Sequence, residues 1–239
     1  MKIDVQLTPN PPNPKSLHEK IVIVIDILRA TSVIVYAFSQ GVKEIIPVKT
    51  VKEAFEKLKI FPEGSTILGG ERKNRKIKGF DLGNSPQEYT RQRIGGKRLI
   101  LTTTNGTKAF SSVSSGRDIY VGSFFNINAL AERCLENDLD ILIFPAGDEG
   151  KFSLEDTVCA GMLIDLLIKR VKEKVFLTDS SYASLFVYQR FDDNLIGALH
   201  LAQHGKELIE GGVGDDLVFC AQVNITSVVP IFRNGVISL

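Results

Sequence analysis

The chain has 239 residues, a formal net charge of +1 and 44% hydrophobic residues, which is typical of one large domain or two closely packed lobes. Its 29 basic residues are scattered apart from a run at 72–78, which we interpret as a solvated loop, so no nucleic-acid partner is expected. No apolar stretch approaches the roughly 20 residues of a membrane span, and no signal peptide is recognised. Three widely spaced cysteines argue against disulfides and structural zinc, so a cytoplasmic location is expected.

The apolar pattern predicts alternating strands and helices along the first two thirds of the chain. The continuous β-branched run at 21–25 predicts a strand buried on both faces. A short helix is predicted at 31–40, before Gly41. Thr50 with Glu53, Asn126, and Ser153 with Asp156 are predicted helix caps. Further strands are predicted at 43–48, 65–68, 98–101, 119–122 and 139–144, and further helices at 51–59, 107–113, 129–136 and 153–172.

This alternation predicts an α/β fold with three layers, α/β/α, around a mainly parallel or mixed sheet. The last third is harder to interpret: 182–203 is predicted as helix, and 216–221 and 228–237 as strands. Similar layouts around 21–40, 98–113 and 140–170 suggest two related, intertwined lobes. We therefore predict a single domain, 1–239. The alternative is that this domain consists of two intimately packed lobes, at about 1–120 and 121–239.

Four polar clusters follow or interrupt the apolar runs, at 26–32, 69–72, 102–107 and 149–156. Each combines small or hydroxyl-bearing residues with a charge, which suits an anion with a hard cation beside it. In a parallel sheet the ligand lies at the carboxyl ends of the strands. The residues that follow the strands, Asp26, 102–104 and 145–148, should therefore converge on one edge.

Asp26 is the most prominent acid because it ends a buried strand, where a charge has no structural purpose. Its structural alternative is a carboxylate that satisfies a neighbouring helix start. Arg29 follows at a spacing that suits a bidentate contact with phosphate or sulfonate. An ion pair with Asp26 or Glu71 is the alternative for Arg29.

The hydroxyl-rich segment 102–107 contains an Asn-Gly turn and opens a helix, so it suits an oxyanion, although the same residue types are common helix caps. Only one or two carboxylates usually contact Mg²⁺, and each acid has a structural alternative in a cap, a helix start or a turn. His200 and His204 are four residues apart, but without a third ligand we expect only His204 near the site. Cys159 is expected to pack in the core.

Seven segments, taken in order, resemble the 2-phosphosulfolactate phosphatase family: 24–32, 69–72, 79–86, 101–107, 122–124, 152–156 together with 159–161, and 204–205. They span nearly the whole chain. The resemblance implies a Mg²⁺-dependent phosphatase that converts 2-phospho-3-sulfolactate to 3-sulfolactate and phosphate, a step towards coenzyme M. Asn224, where an acid is expected, and the basic segment 73–78 depart from the family's pattern.

From the residues and the resemblance together we predict the site residues by role. The catalytic residues are Asp26, Arg29, Glu71 and His204. The metal ligands are a subset of Asp26, Glu71, Asp81, Glu155 and Asp156. The substrate-binding residues are Arg29, Thr31, Ser32, Arg72, Asn84, Thr103, Thr104, Asn105, Gly106 and Thr107.

The expected mechanism is attack by a Mg²⁺-oriented water, with His204 or a carboxylate protonating the leaving alkoxide. An aspartyl-phosphate on Asp26 is the competing route, but haloacid-dehalogenase-type phosphatases carry a second Asp two residues on, where this chain has Leu28. Rival functions are a phosphatase for another small acidic phosphoester and a non-catalytic protein that binds an anionic metabolite. No membrane partner is expected, and a homo-oligomer stays open.

Overall fold

Buried β-branched runs form the centre of one large mixed sheet. The computed structural model describes residues 1–171 and 174–239, and within them 11 strands form a single sheet with helices on both faces. This confirms the predicted three-layer α/β/α fold. The strands are β1 (Lys2–Val5), β2 (Lys20–Ile25), β3 (Glu44–Pro47), β4 (Thr66–Arg72), β5 (Arg75–Lys76), β6 (Arg98–Thr102), β7 (Asp118–Gly122), β8 (Asp140–Pro145), β9 (Phe176–Leu177), β10 (Ile231–Arg233) and β11 (Val236–Ser238).

The helices fill the segments between these strands and most of the last third of the chain. None of the helices in the described residues is long and apolar enough to cross a bilayer. The α-helices are α1 (Ala30–Ser39), α2 (Val51–Leu58), α3 (Arg91–Ile94), α4 (Gly106–Ser112), α5 (Ile127–Cys134), α6 (Leu154–Arg170), α7 (Asp179–Phe191), α8 (Leu195–Leu201), α9 (Gln203–Glu210) and α10 (Asp215–Cys220).

The sheet consists of two groups of parallel strands joined by a hairpin, with the short strand β5 added antiparallel to β4 at one edge. Its order is β5-β4-β6-β3-β11-β10-β7-β2-β8-β1-β9. Three successive antiparallel pairings, β3 with β11, β11 with β10 and β10 with β7, separate the group around β6 from the group around β2. The two groups therefore run in opposite directions, and strands from both proposed lobes share one sheet. The division into lobes stays a prediction.

Two large apolar clusters pack on the two faces of the central strands. The residues of β2 alternate between them: Ile21, Ile23 and Ile25 belong to one cluster, and Val22 and Val24 to the other. All five side chains are fully buried. At roughly 1.5–3 kcal/mol for each buried aliphatic side chain, this strand is a main source of stability and holds the residue that follows it in place.

The predicted element types are confirmed in the first two thirds and corrected in the last third. The predicted strand at 216–221 is wrong, because Asp215 and Asp216 begin α10, where acidic residues favour a helix start. The predicted strand at 228–237 is two strands, which the left-handed Asn234-Gly235 turn separates. The predicted helix at 182–203 is three helices, because Asn194 caps a new one through Gly197 N–H. Helix α6 ends at Arg170, and the predicted end near 172 lies outside the described residues.

Helix caps explain where several of these elements begin. Thr50 caps α2 as predicted, but the carboxylate of Glu53 accepts from Lys49 N–H at 3.0 Å and not from the cap residue. Asn126 lies at the start of α5, yet its side chain accepts from Ser123 N–H at 3.0 Å and so stabilises the preceding turn. The Thr50 cap is therefore confirmed, whereas the side chains of Glu53 and Asn126 accept from N–H groups other than the predicted ones.

Candidate active site

Asp26 leaves the carboxyl end of β2 and turns directly into α1. Its Oδ1 atom accepts from Ala30 N–H at 3.0 Å, so one oxygen fulfils the capping role that was the structural alternative. The side chain is buried, and burial raises the pKa of Asp26 to about 6. Glu155 and Glu71 add to this rise, while the Ala30 N–H and His204 oppose it. Asp26 therefore lies within electrostatic reach of two other acids and a histidine.

The start of α4 packs against Asp26. A Cβ atom added at Gly106 would lie 2.8 Å from Asp26 Oδ2 and 2.5 Å from Ala30 Cβ, so only glycine allows the helix to come this close. Thr103 Oγ1 accepts from Thr107 N–H at 3.2 Å, and Thr107 Oγ1 donates to Thr103 O at 2.7 Å. These two predicted substrate-binding hydroxyls shape the turn that brings α4 to Asp26.

Glu71 joins the end of β4 to two loops through both of its carboxylate oxygens. Oε1 accepts from Thr104 N–H at 2.7 Å, and Oε2 accepts from Asn74 N–H at 3.1 Å. The preceding residue, Gly70, has a φ of +137° and a Cβ there would lie 2.0 Å from Thr102 O. The end of β4 therefore lies directly against the loop that follows β6.

The loop after β6 also contacts the loop after β8. Asn105 Nδ2 donates to Asp148 Oδ1 at 3.2 Å, and Asn105 Oδ1 accepts from Glu149 N–H at 3.3 Å. The polar clusters at 102–107 and 149–156 therefore meet, although they follow strands of opposite direction. β6 and β8 are not neighbours in the sheet, so contacts between the two loops, and not pairing of the two strands, bring the clusters together. The predicted shared edge does bring Asp26 and 145–148 together, because β2 and β8 are adjacent parallel strands, whereas the 102–107 segment joins them from the other strand group.

Asp156, in the first turn of α6, ties the ends of two neighbouring strands together. Its Oδ1 atom accepts from Ile27 N–H at 2.8 Å, and its Oδ2 atom accepts from Gly147 N–H at 3.2 Å. Its backbone N–H donates to the cap residue Ser153 at 3.3 Å, but its carboxylate does not reach back as predicted. Burial, and then the charges of its acidic neighbours, raise the pKa of Asp156 well above its ordinary value.

His204, on α9, is held between two polar groups. Its Nε2 atom lies 3.0 Å from Asn74 Oδ1, and its Nδ1 atom lies 4.0 Å from Glu155 Oε1. An amide oxygen only accepts hydrogen bonds, so Nε2 carries a proton and Nδ1 faces Glu155. Burial raises the pKa of Glu155. This histidine belongs to the acid cluster, as the sequence predicts.

Arg29 forms a buried ion pair with Asp216 on α10. Arg29 Nη1 lies 2.5 Å from Asp216 Oδ2, and the two side chains are 3% and 4% exposed. Asp216 Oδ1 accepts from Ser85 Oγ at 2.5 Å. The alternative of an ion pair is thus realised, with a different acid from the two that the sequence suggested. Among the described residues, two buried polar atoms lack a hydrogen-bond partner, and both belong to this cluster or border it: Arg29 Nε and Asn84 Oδ1.

Three other predicted substrate-binding side chains turn towards the backbone. Thr31 and Ser32 donate their hydroxyls to carbonyl oxygens of the two residues that follow β2, both at 2.9 Å. Arg72 donates to the carbonyl of the residue before it at 2.7 Å and to Thr102 Oγ1 at 2.8 Å. In this structure these three side chains therefore hold the backbone around the site in place and do not point their donors at a ligand.

Asp81 and His200 lie apart from the acid cluster. Asp81 is exposed, and its Oδ2 atom accepts from Leu68 N–H at 2.8 Å. It lines a surface cavity of about 630 Å³ at the amino end of β4. His200 is exposed and its Nδ1 atom lies 3.0 Å from Ile196 O. We place the site at the buried acids and not at this cavity, because perturbed pKa values and converging charges mark functional sites better than volume does.

The acid cluster offers the oxygen donors that Mg²⁺ prefers, although these donors are not arranged as a preformed metal site. Within the described residues, no group of three or more His, Cys, Asp or Glu side chains is arranged to hold a metal ion. Backbone N–H groups already engage both oxygens of Glu71 and of Asp156. Asp26 Oδ2 and the Glu155 carboxylate are then the oxygens best placed for a cation, and Mg²⁺ typically needs only one or two carboxylates.

The sequence reasoning missed Asp216 and Asn74. A pair of acids after Gly214 is typical of a helix start and would have placed Asp216 on α10. Asn74 lies in the basic run that was interpreted as a solvated loop. It occupies the two-residue turn between β4 and β5 with a φ of +60°, and nothing in the local sequence indicates that this turn reaches His204.

Comparison with known proteins agrees over nearly the full length of the chain. A family model described as 2-phosphosulpholactate phosphatase matches residues 7–235. A probable 2-phosphosulfolactate phosphatase of Clostridium acetobutylicum is 42% identical over 98% of this chain and 99% of that protein. Proteins of the same description are 41% identical in Caldanaerobacter subterraneus, over 96% of this chain and 95% of the relative, and 36% identical in Symbiobacterium thermophilum, over 96% and 98%.

Proposed function

Because the chain belongs to the 2-phosphosulpholactate phosphatase family and so is a phosphoric monoester hydrolase, we propose that it hydrolyses 2-phospho-3-sulfolactate to 3-sulfolactate and phosphate. We further propose that the reaction requires Mg²⁺, belongs to the formation of coenzyme M and takes place in the cytoplasm. The observation that carries the proposal is the cluster of buried acids, Asp26, Glu71, Glu155 and Asp156, which lies next to the Arg29 ion pair at the start of α1.

Charge balance supports the need for a divalent cation. The proposed substrate carries a phosphate, a sulfonate and a carboxylate, and the acid cluster alone would repel it. Burial raises the pKa values of Asp26, Glu155 and Asp156, and the charges of neighbouring acids add to each rise, so the ionised forms of these carboxyls are disfavoured without a cation. When bound at Asp26 Oδ2 and Glu155, Mg²⁺ supplies positive charge to the phosphate and to the attacking water.

The protein's own groups position the phosphate and move the protons. Without a cation the pKa of Asp26 is about 6, so the carboxylate is ionised at neutral pH and suits one of two roles: holding the cation through Oδ2, or accepting a proton from an attacking water. Gly106 brings the start of α4 within contact of the same carboxylate, so a phosphate that binds beside Asp26 would also lie next to the start of α4. His204 is held through Nε2 by Asn74, so an imidazolium form, with a proton on each ring nitrogen, could pass the Nδ1 proton to the leaving alkoxide and return to the neutral ring.

Direct attack by water competes with a covalent route through Asp26. The structure leaves Asp26 Oδ2 without a hydrogen bond to the described residues, which suits a nucleophile as well as a base. The position that would carry a second Asp in haloacid-dehalogenase-type enzymes is Leu28, which is buried. We therefore favour water attack. Entry of ¹⁸O from labelled water into the Asp26 side chain during turnover would instead establish the aspartyl-phosphate.

The experiment that tests the function is phosphate release from 2-phospho-3-sulfolactate, phospholactate and phosphoglycerate, each with Mg²⁺ or with EDTA. Mg²⁺-dependent release from the sulfonate-bearing substrate alone supports the full proposal. Comparable turnover of all three substrates would support the alternative, a phosphatase for small acidic phosphoesters. Binding of these compounds without turnover in any metal would leave only an anion-binding protein.

A further inference from the structure

We propose that Asp216 is a positioning residue that fixes the Arg29 guanidinium so that its free edge binds a monoanionic group of the substrate, the sulfonate or the carboxylate, and not the phosphate. The inference rests on the proposed function, because it assigns one part of that substrate to one part of the site. Sequence reasoning placed Asp216 in a strand and gave it no role.

The geometry of the ion pair leaves one edge of Arg29 available. Asp216 Oδ2 engages Nη1 at 2.5 Å. The Nε and Nη2 atoms lie along a different edge of the planar guanidinium, the edge that usually binds carboxylate, sulfonate or phosphate oxygens in a bidentate manner. Nε is buried and has no hydrogen-bond partner among the described residues. A buried donor without an acceptor is rare, so an acceptor from a ligand is the expected partner.

Asp216 is itself held firmly, as a positioning residue must be. Its other oxygen, Oδ1, accepts from Ser85 Oγ at 2.5 Å and from Gln87 Nε2 at 3.4 Å. The carboxylate thus links α10 to the segment before and within a short 3₁₀ helix and to the start of α1. Asn84, whose buried Oδ1 also lacks a partner among the described residues, directly precedes Ser85. Two unsatisfied polar atoms therefore border one fully engaged carboxylate.

The charge of the pair selects the kind of group that Arg29 binds. Asp216 neutralises the guanidinium, so the fork offers directed donors with little net positive charge. A dianionic phosphate needs net positive charge, which the proposed Mg²⁺ site beside Asp26 provides. A sulfonate or carboxylate carries a single charge and is satisfied by a well-aligned pair of donors. The structure therefore separates a cation-assisted phosphate position from a neutral fork for the second anion.

The test compares wild type and Asp216→Asn on three substrates. 2-Phospho-3-sulfolactate carries both monoanionic groups, phospholactate lacks the sulfonate, and phosphoisethionate lacks the carboxylate. We expect Asp216→Asn to lower kcat/KM for the full substrate on the order of 10-fold to 100-fold, mainly through KM. For the substrate that lacks the group bound by Arg29, the variant and the wild type should agree within about 2-fold. Insensitivity of phospholactate identifies the sulfonate, and insensitivity of phosphoisethionate identifies the carboxylate.

Asp118→Asn is the matched control. Asp118 is a buried carboxylate that pairs with Arg233 at 2.9 Å, although this arginine is 59% exposed, and Asp118 lies at the amino end of β7, away from the acid cluster. It should retain wild-type kinetics on all three substrates. If Asp118→Asn lowered kcat/KM as Asp216→Asn does, the effect would reflect the loss of any buried, arginine-paired carboxylate, and the positioning role would be refuted.

A second variant and a binding measurement keep the test decisive if Asp216→Asn folds poorly. Arg29→Lys keeps the positive charge and loses the fork, so it should show the same dependence on substrate. Calorimetric binding of 3-sulfolactate, lactate and isethionate to each variant reports the contact without turnover. An equal loss on all three substrates would place Arg29 on the phosphate and overturn the inference. If wild-type enzyme releases no phosphate from any of them, the proposed function fails, whereas binding of 3-sulfolactate that depends on Asp216 would still support the inference.

Discussion

Replacement of Gly106 by alanine tests whether the start of α4 lies against Asp26 in the working enzyme. The added Cβ would lie 2.5 Å from Ala30 Cβ and 2.8 Å from Asp26 Oδ2. Carbon atoms in ordinary contact are about 3.5–4.0 Å apart, so α4 and the start of α1 must separate by about 1 Å. Gly106 has no left-handed φ, so the effect is steric and not conformational.

The size of the effect follows from that displacement. Overpacking of this kind costs about 1–3 kcal/mol of stability, which the higher helix propensity of alanine offsets by up to about 1 kcal/mol. A shift of about 1 Å between groups that position a substrate is able to lower the rate on the order of 10²-fold. Gly106→Ala should therefore lose far more activity than stability.

The assay is kcat/KM for phosphate release from 2-phospho-3-sulfolactate, beside urea unfolding of the same samples. Gly211→Ala is the matched control. The atom nearest to a Cβ added at Gly211 is a carbonyl oxygen at 3.2 Å, and Gly211 lies at the end of α9, outside the site. Gly211→Ala should keep wild-type activity. Wild-type kcat/KM in folded Gly106→Ala would refute the contact between α4 and Asp26 as part of the mechanism.

Three further predictions concern charge and protonation. Asp26→Asn should lower kcat/KM on the order of 10²-fold or more in the phosphate-release assay. Burial raises the pKa of Asp26 from 3.8 to about 6, so its stabilising contribution is present below pH 3.8 and lost as the pH rises through about 6. Asp26→Asn should therefore raise the free energy of unfolding at pH 8 by up to roughly 3 kcal/mol and leave it little changed at pH 4, as urea titrations would show. Mg²⁺ should raise the thermal midpoint of the wild type at pH 8, and EDTA should reverse this rise. Because Glu155 is a proposed ligand, Mg²⁺ should raise the thermal midpoint of Glu155→Gln by less. His204→Ala should lower kcat on the order of 10²-fold, whereas the exposed His200→Ala should leave it unchanged; equal rates in the two variants would exclude His204 as the acid.

The parts of the fold that the sequence predicts are those with a local cause. The β-branched run at 21–25 can only be a buried strand, and its end fixes Asp26 at the start of a helix. The last third lacks such runs, and there the acidic start of α10 and the Asn234-Gly235 turn were overlooked. Both signals are local, so a closer reading of capping and turn residues would have found them.

The parts of the site that the sequence does not predict depend on long-range contacts. The partner of Arg29 lies 187 residues away, and the partner of His204 in the turn at Asn74 lies 130 residues away. Spacing and residue type carry no information about such pairs. For the same reason the hydroxyls of Thr103 and Thr107 could not be assigned in advance, because a cap and an oxyanion contact use the same residues.

The opposed directions of the two strand groups explain how one chain assembles so many charged groups around a small ligand. The group around β6 contributes Glu71 and the 102–107 loop, and the group around β2 contributes Asp26 and the Asp156 bridge. Hydrogen bonds from Asn105 to Asp148 and Glu149 join the two groups, so residues of both are available to one ligand. The helices of the last third then add His204 and the Asp216 carboxylate that pairs with Arg29. The anionic groups of the proposed substrate can thus be bound by different walls, with the reacting phosphate assigned to the acid and cation side and its monoanionic neighbour to the fixed arginine.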